Sequence, residues 1–341
     1  MSRIELDLKI NGVDVTQHQF VVKINGCTLL TVADPENYQE TSTSLKGFGA
    51  FVQEESNRLL SSHRARSAEI HKGVSRQFMI WRNGEDIALE EVTSSVIEGF
   101  ETFLRSRKLS LNTVSFYMRV LRSCYNKAID EYDLPNRQPF RRVYTGIEQT
   151  DKRALSIDMI KSIKRYVTDD QEVQFARDMF LFSFYTRGMS FVDMAYLKRD
   201  DLKDGWLHYR RHKTGQSIAV KWEACMQEIV DRYRHQATGY LLPIIHATNG
   251  KERNQYRGMQ HKVNKSLKVI AKDCELESNL TMYVARHSWA NAAQTLNHPL
   301  ELISQGMGHS STKTTKIYLN SINMSQIDQM NTAVLQEINS Q

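Results

Sequence analysis

Five side chains in the second half of this 341-residue chain have the types needed to move a phosphoryl group: two arginines, a lysine, a histidine and a tyrosine. Without a metal, that chemistry needs an oxygen nucleophile, cations around the charge that builds on phosphorus, and an acid for the departing oxygen. Arg187 ends a very apolar stretch, in Tyr185-Thr186-Arg187-Gly188. A guanidinium there needs a partner, either the internal carboxylate of Asp193 or a bound anion. Lys213 lies in Lys213-Thr214-Gly215-Gln216, between the alternating runs Trp206–Arg211 and Ser217–Trp222, which is a hairpin signature. Its ammonium is either solvated or swung toward a ligand. Arg286 and His287 stand together in Tyr283-Val284-Ala285-Arg286-His287-Ser288. Gly308-His309 makes a tight turn and Tyr318 follows nine residues after the histidine, where a tyrosine can equally be core. Each signal is weak by itself.

Their order is more specific. An arginine, a lysine in a hairpin, Arg-His, Gly-His and a late tyrosine together resemble the tyrosine recombinases, the phage-integrase family found as integrases and invertases on bacterial mobile elements. The stretch Leu302-Ile303-Ser304-Gln305-Gly306-Met307-Gly308-His309-Ser310-Ser311-Thr312-Lys313-Thr314-Thr315-Lys316-Ile317-Tyr318 matches the family's final box almost throughout. The Arg187 and Arg286 boxes add to it, as does the 99-residue gap between the two arginines. Upstream, Leu109-Ser110-Leu111-Asn112-Thr113-Val114 is similar to the family's core-binding domain.

The resemblance implies a role for each residue. Tyr318 would attack the scissile phosphate, leaving a 3′-phosphotyrosine and a free 5′-hydroxyl. Arg187 and Arg286 would hold the non-bridging oxygens, Lys213 would protonate the departing 5′-oxygen, and His309 would bond the phosphate and manage the tyrosine proton. A phenol with a pKa of roughly 10 needs such help at neutral pH. The phosphotyrosine keeps the bond energy, so neither ATP nor a metal is implied. The chain departs from the family at Tyr283, where a histidine is usual. A phenol can donate to a phosphate oxygen but does not readily accept a proton near pH 7, so Tyr283 is read as either a phosphate contact or packing. His287 is expected to support the fold. The implied partners are double-stranded DNA, three further copies of the chain in a tetramer on paired sites, and accessory DNA-bending proteins. Two rivals stay open: a non-catalytic DNA-binding protein of the same fold, which Tyr283 motivates, and a type IB topoisomerase.

Composition agrees with such a partner. The chain has 45 Lys and Arg against 39 Asp and Glu, a net +6. Residues 1–46 carry −2 of that balance, which leaves +8 for the rest and modestly favours nucleic acid over a membrane. Cys27, Cys124, Cys225 and Cys274 are scattered, which suits buried thiols in a reducing compartment. There is no 18-residue apolar run and no secretory leader pattern, so a cytoplasmic, nucleoid-associated protein is expected. No phosphate-cradling glycine loop occurs, and His208 with His212 does not make a metal pair in a strand and turn.

The positioning elements are expected to be mainly helical with small sheets, an α+β chain. Residues 1–46, with Asn11-Gly12 and Asn25-Gly26 between β-branched runs, read as a β-containing arm. Residues 47–134 read as four amphipathic helices in a compact bundle, with Thr93 or Ser94 capping the third, and the resemblance implies a DNA-binding domain of the SAM-like type. Its exposed cations Arg105, Lys108, Arg119 and Arg122 are candidate DNA contacts, as are Arg141 and Arg142 in the Pro-interrupted stretch 135–150, read as a linker. Residues 151–341 read as mixed α/β structure, which the resemblance implies is the catalytic domain. Its last helix, 325–338, carries Ile327, Met330, Val334 and Ile338 on one stripe, which the resemblance implies docks onto a neighbouring protomer and which can otherwise pack on its own domain.

Overall fold

A computed structural model describes residues 9–10, 13–14, 21–24, 27–31, 46–148, 154–277, 279–309, 312 and 315. Tyr318 and the stripe within 325–338 lie outside the described residues. The chain divides into two compact units, Met1–Gln149 and Thr150–Gln341. The mainly helical α+β architecture expected from the sequence is what is observed.

In the first unit, β1 (Lys9–Ile10) pairs antiparallel with β2 (Val13–Asp14), and β3 (Val21–Ile24) with β4 (Cys27–Thr31). The pairs bracket the two Asn-Gly steps. Four helices follow: α1 (Phe48–Ser61), α2 (Ala65–Trp81), α3 (Ser94–Ser106) and α4 (Leu111–Glu131). Thr93 Oγ1 caps α3 and Ser110 Oγ caps α4. The first turn of α1 is closed from a distance, since the Gly49 and Ala50 N–H groups donate to the Asp86 carboxylate at 2.7 and 2.8 Å. Phe48, Phe78 and Phe100 meet edge to face in a fully buried core. The stretch from Pro135 is more than a linker. Phe140 and Val143 are buried in this same core, Ser115 Oγ donates to Gly146 O at 2.5 Å, and Asn112 exchanges hydrogen bonds with the Glu148 backbone.

The second unit holds α5 (Ile157–Arg165), α6 (Gln171–Tyr185) and α7 (Phe191–Ala195), then a three-stranded antiparallel sheet. Its strands are β5 (Leu202–Lys203), β6 (Trp206–Arg210) and β7 (Ser217–Lys221). Helices α8 (Ala224–Arg232), α9 (Glu252–Asp273), α10 (Met282–Thr295) and α11 (Leu300–Gly306) complete it. Helix α6 is apolar on nearly every side, with Met179, Phe180, Leu181 and Phe182 all buried, because it packs against both α9 and α10. Helix α10 begins at Met282, four residues before the start that apolar spacing suggests. Asn264 Oδ1 on α9 accepts the Met282 N–H at 2.9 Å, supplying a cap that the local sequence does not encode. Tyr283 and Arg286 therefore share one helix.

Candidate active site

Arg187 stands at the end of α6 in a left-handed conformation, φ +61°, followed by Gly188 at φ +73°. Two hydrogen bonds define the ending: Arg187 N–H to Phe184 O at 3.2 Å and Gly188 N–H to Ser183 O at 2.7 Å. This is a Schellman ending whose left-handed position, normally glycine, holds an arginine at a cost of about 1–2 kcal/mol. Gly188 is required for a second reason. A Cβ there would lie 2.6 Å from the Arg286 Cα, so its absence lets the end of α6 meet α10 at that arginine.

Arg286 is 4% exposed. Its Nη1 donates to Gly188 O at 2.8 Å, and its Nη2 to Met307 O at 2.6 Å. Nη2 also lies 2.8 Å from His309 Nε2. A guanidinium only donates, so Nε2 is the acceptor, and Nδ1 carries the proton toward Thr315 Oγ1 at 2.8 Å. The tautomer of His309 is thereby fixed. Burial first, then the cations Arg286, Arg211 and Lys213, push the imidazole down to about 4, so it is neutral near pH 7. Gly308 turns the chain at φ +64°, where a Cβ would strike Ile218 at 2.4 Å.

Asp193 is not the partner of Arg187. Its Oδ1 accepts the His212 N–H at 2.8 Å and its Oδ2 accepts from Ser190 Oγ at 2.6 Å, which caps α7. Those two donors are closer in the fold than Arg187, which donates instead to Ala219 O on β7 at 3.3 Å. Among the described residues Arg187 makes no ion pair.

The hairpin is as expected, with β6 and β7 paired from Trp206↔Lys221 to Arg210↔Ser217. Lys213 is exposed at its tip, and its charge reaches His309. Arg211, absent from the candidates taken from the sequence, is buried, and its Nη1 donates to Gly308 O at 2.6 Å. Strand parity carries the missed signal: Leu207 is buried and Tyr209 half-buried, and Arg211 continues that inward face. The three arginines surround the Tyr209 phenol, yet burial and Asp193 still push it up to about 12. Tyr283 is exposed one turn before Arg286 and meets the His287 ring edge-on at 4.6 Å. Arg187, Arg286, His309 and the Lys213 hairpin thus converge, while Tyr283 is exposed on the same helix as Arg286.

The cations of the first unit are distributed differently. Arg105, Lys108, Arg119, Arg122, Arg141 and Arg142 are all exposed. Arg105 pairs with Glu101 at 2.8 Å and Arg142 lies 3.9 Å from Glu98. Among the described residues no three His, Cys, Asp or Glu side chains gather as a metal site, and no helix is long and apolar enough to cross a membrane.

The phage integrase SAM-like domain matches residues 47–145, and the phage integrase family domain matches residues 155–324. Tyrosine recombinase XerD of Listeria monocytogenes is 22% identical over 273 residues, which cover 75% of this chain and 89% of that protein. The fold is similar to the integrase of transposon Tn1549, solved in complex with a circular intermediate DNA. That pair has a TM-score of 0.64 and 16% identity, covering 84% of this chain and 99% of that one. It is also similar to lambda integrase, solved as a tetramer bound to a Holliday junction, with a TM-score of 0.61, 15% identity, and 85% and 84% of the two chains covered. The chain belongs to the phage-integrase family and is a tyrosine site-specific recombinase.

Proposed function

We propose that this recombinase cleaves and rejoins duplex DNA through Tyr318, using Arg187, Arg286, His309 and Lys213. One observation carries the reading: Arg286 reaches from α10 to the backbone beside Arg187 and to the imidazole of His309 at the same time. A phosphodiester entering there meets charged donors now held by carbonyl oxygens, and charged hydrogen bonds to an anion are the stronger ones. As Arg286 turns an N–H to the phosphate, the Nε2 lone pair of His309 is released. The phosphate's negative charge raises the basicity of the ring, and Nε2 takes the phenolic proton. Tyr318 Oη then bonds to phosphorus, the bond to the 5′-oxygen breaks, and Lys213 supplies that oxygen's proton. Tyr283 donates its phenolic O–H to a phosphate oxygen. Rejoining reverses these transfers with another strand's 5′-hydroxyl.

The same reading assigns residues 47–134 to DNA binding, 135–150 to the connection, 151–341 to catalysis and 1–46 to an arm. Phosphates displace the weak exposed pairs of Arg105 and Arg142, and Lys108, Arg119, Arg122 and Arg141 join them, so affinity falls steeply with salt. Four protomers act on paired sites in the cytoplasm, the 325–338 stripe of each docking on its neighbour, for integration, excision or inversion of a mobile element, with accessory DNA-bending proteins assisting. The test is a duplex nicked beside the cleavage site, which traps covalent adduct with the wild type and none with Tyr318→Phe. A wild-type protein that binds but traps nothing is a non-catalytic DNA-binding protein. One that relaxes supercoils without joining two site-bearing duplexes is a topoisomerase.

A further inference from the structure

Arg211 has no part in the transfer just described, yet it is nearly as buried as Arg286, 7% against 4% exposed. Its main chain closes the lysine loop: Arg211 N–H donates to Gln216 O at 2.9 Å, and Gly215 N–H donates to Arg211 O at 2.8 Å. Its side chain leaves the loop and crosses to the histidine turn, where Nη1 donates to Gly308 O at 2.6 Å. Nε is buried with no hydrogen-bond partner among the described residues. A buried donor without a partner destabilises the fold, and an apolar side chain of similar length would avoid that cost. Among the described residues, the hydrogen bonds this guanidinium makes and an apolar chain cannot go to the histidine turn, to Gly308 O and, more weakly, Met307 O at 3.5 Å.

We propose that Arg211 is a positioning residue: by holding Gly308 it ties the Lys213 loop to the His309 turn, so that the acid is held at the phosphate His309 bonds, while Arg286 and Thr315 keep the imidazole in place. Asp193 fixes the other side of the loop through the His212 N–H. The inference rests on the roles proposed for Lys213 and His309, and its test separates the two. In a duplex whose bridging 5′-oxygen at the scissile phosphate is replaced by sulfur, the P–S bond breaks to leave a thiolate. A thiol titrates near a pH of roughly 8.5, so this leaving group needs no proton from the enzyme. Arg211→Met keeps the stem packed at Gly308 and is expected to cleave ordinary DNA about 100-fold more slowly, the scale of a misplaced catalytic group. On the sulfur substrate it is expected to approach the wild-type rate, as Lys213→Ala should, with DNA affinity unchanged. Arg211→Lys keeps one charged donor and is expected to retain part of the rate on ordinary DNA, which guards against a methionine variant that misfolds. If Lys213→Ala is rescued by sulfur and the Arg211 variants are not, or if the Arg211 variants lose nothing, the positioning role is wrong. If Lys213→Ala is not rescued, the lysine is not the acid and the inference falls with that assignment.

Discussion

Two guanidinium clusters lie in the second unit, and their acceptors differ in kind. At Asp178 a carboxylate only 1% exposed takes both Nε and Nη2 of Arg177, at 2.9 and 2.8 Å, together with Arg232 Nη1 and the Tyr233 hydroxyl at 2.9 Å. Burial and that carboxylate push the Tyr233 phenol up, so the cluster stays closed at any ordinary pH. Around Arg286 the described acceptors are the Gly188 and Met307 carbonyls and an imidazole, while Arg187 and Arg211 use the Ala219 and Gly308 carbonyls. A carboxylate neutralises a guanidinium. A carbonyl aims it without neutralising it. The first cluster holds the fold together, and on the proposed mechanism the second is charge preorganised for an anion.

Substitution can break or sharpen that contrast. The largest effect is expected at Arg286→Lys, which loses the forked donor geometry: cleavage of a nicked duplex should fall by about 10²–10³-fold, while thermal unfolding changes little. Asp178→Asn should do the opposite. Removing one partner of a buried charge cluster costs about 3–5 kcal/mol, read in denaturant unfolding, whereas cleavage measured well below the midpoint should match wild type. Equal losses of both kinds in both variants would erase the distinction.

The histidine supplies a pH signature. Its folded pKa of about 4 lies below the ordinary value of 6.5, so between those limits the unfolded chain binds the extra proton. Stability from this group is full above 6.5 and is lost as pH falls toward 4. The wild-type melting temperature should therefore drop across that window by more than it does for His309→Gln, and parallel curves would contradict the buried neutral ring. The smallest effect concerns the left-handed arginine. Arg187→Gly should unfold at an equal or slightly higher temperature, by up to about 1 kcal/mol from relieved backbone strain, although its cleavage is lost.

The sequence carried some of this more openly than the rest. The cap at Thr93 and the hairpin around Lys213 are local features, and each is where periodicity and turn chemistry put it. The left-handed ending at Arg187 was hidden because its cause, the approach of Arg286 to Gly188, joins residues 98 apart in sequence. Proximity along the chain offers Asp193 as one of two partners for Arg187, but the fold gives that carboxylate to the His212 N–H and Ser190. Arg211 was legible only through strand parity, since nothing in the neighbouring residues announces a bond to Gly308, 97 positions away.

The most direct test of the central claim, one anion pocket served by Tyr318, is to map the attached residue in protein trapped on a nicked duplex. Nuclease and protease digestion followed by mass spectrometry should find a nucleotide 3′-phosphate on the peptide containing Tyr318, with a free 5′-hydroxyl on the released strand. Attachment at another residue, or through a 5′-phosphate, would contradict the account.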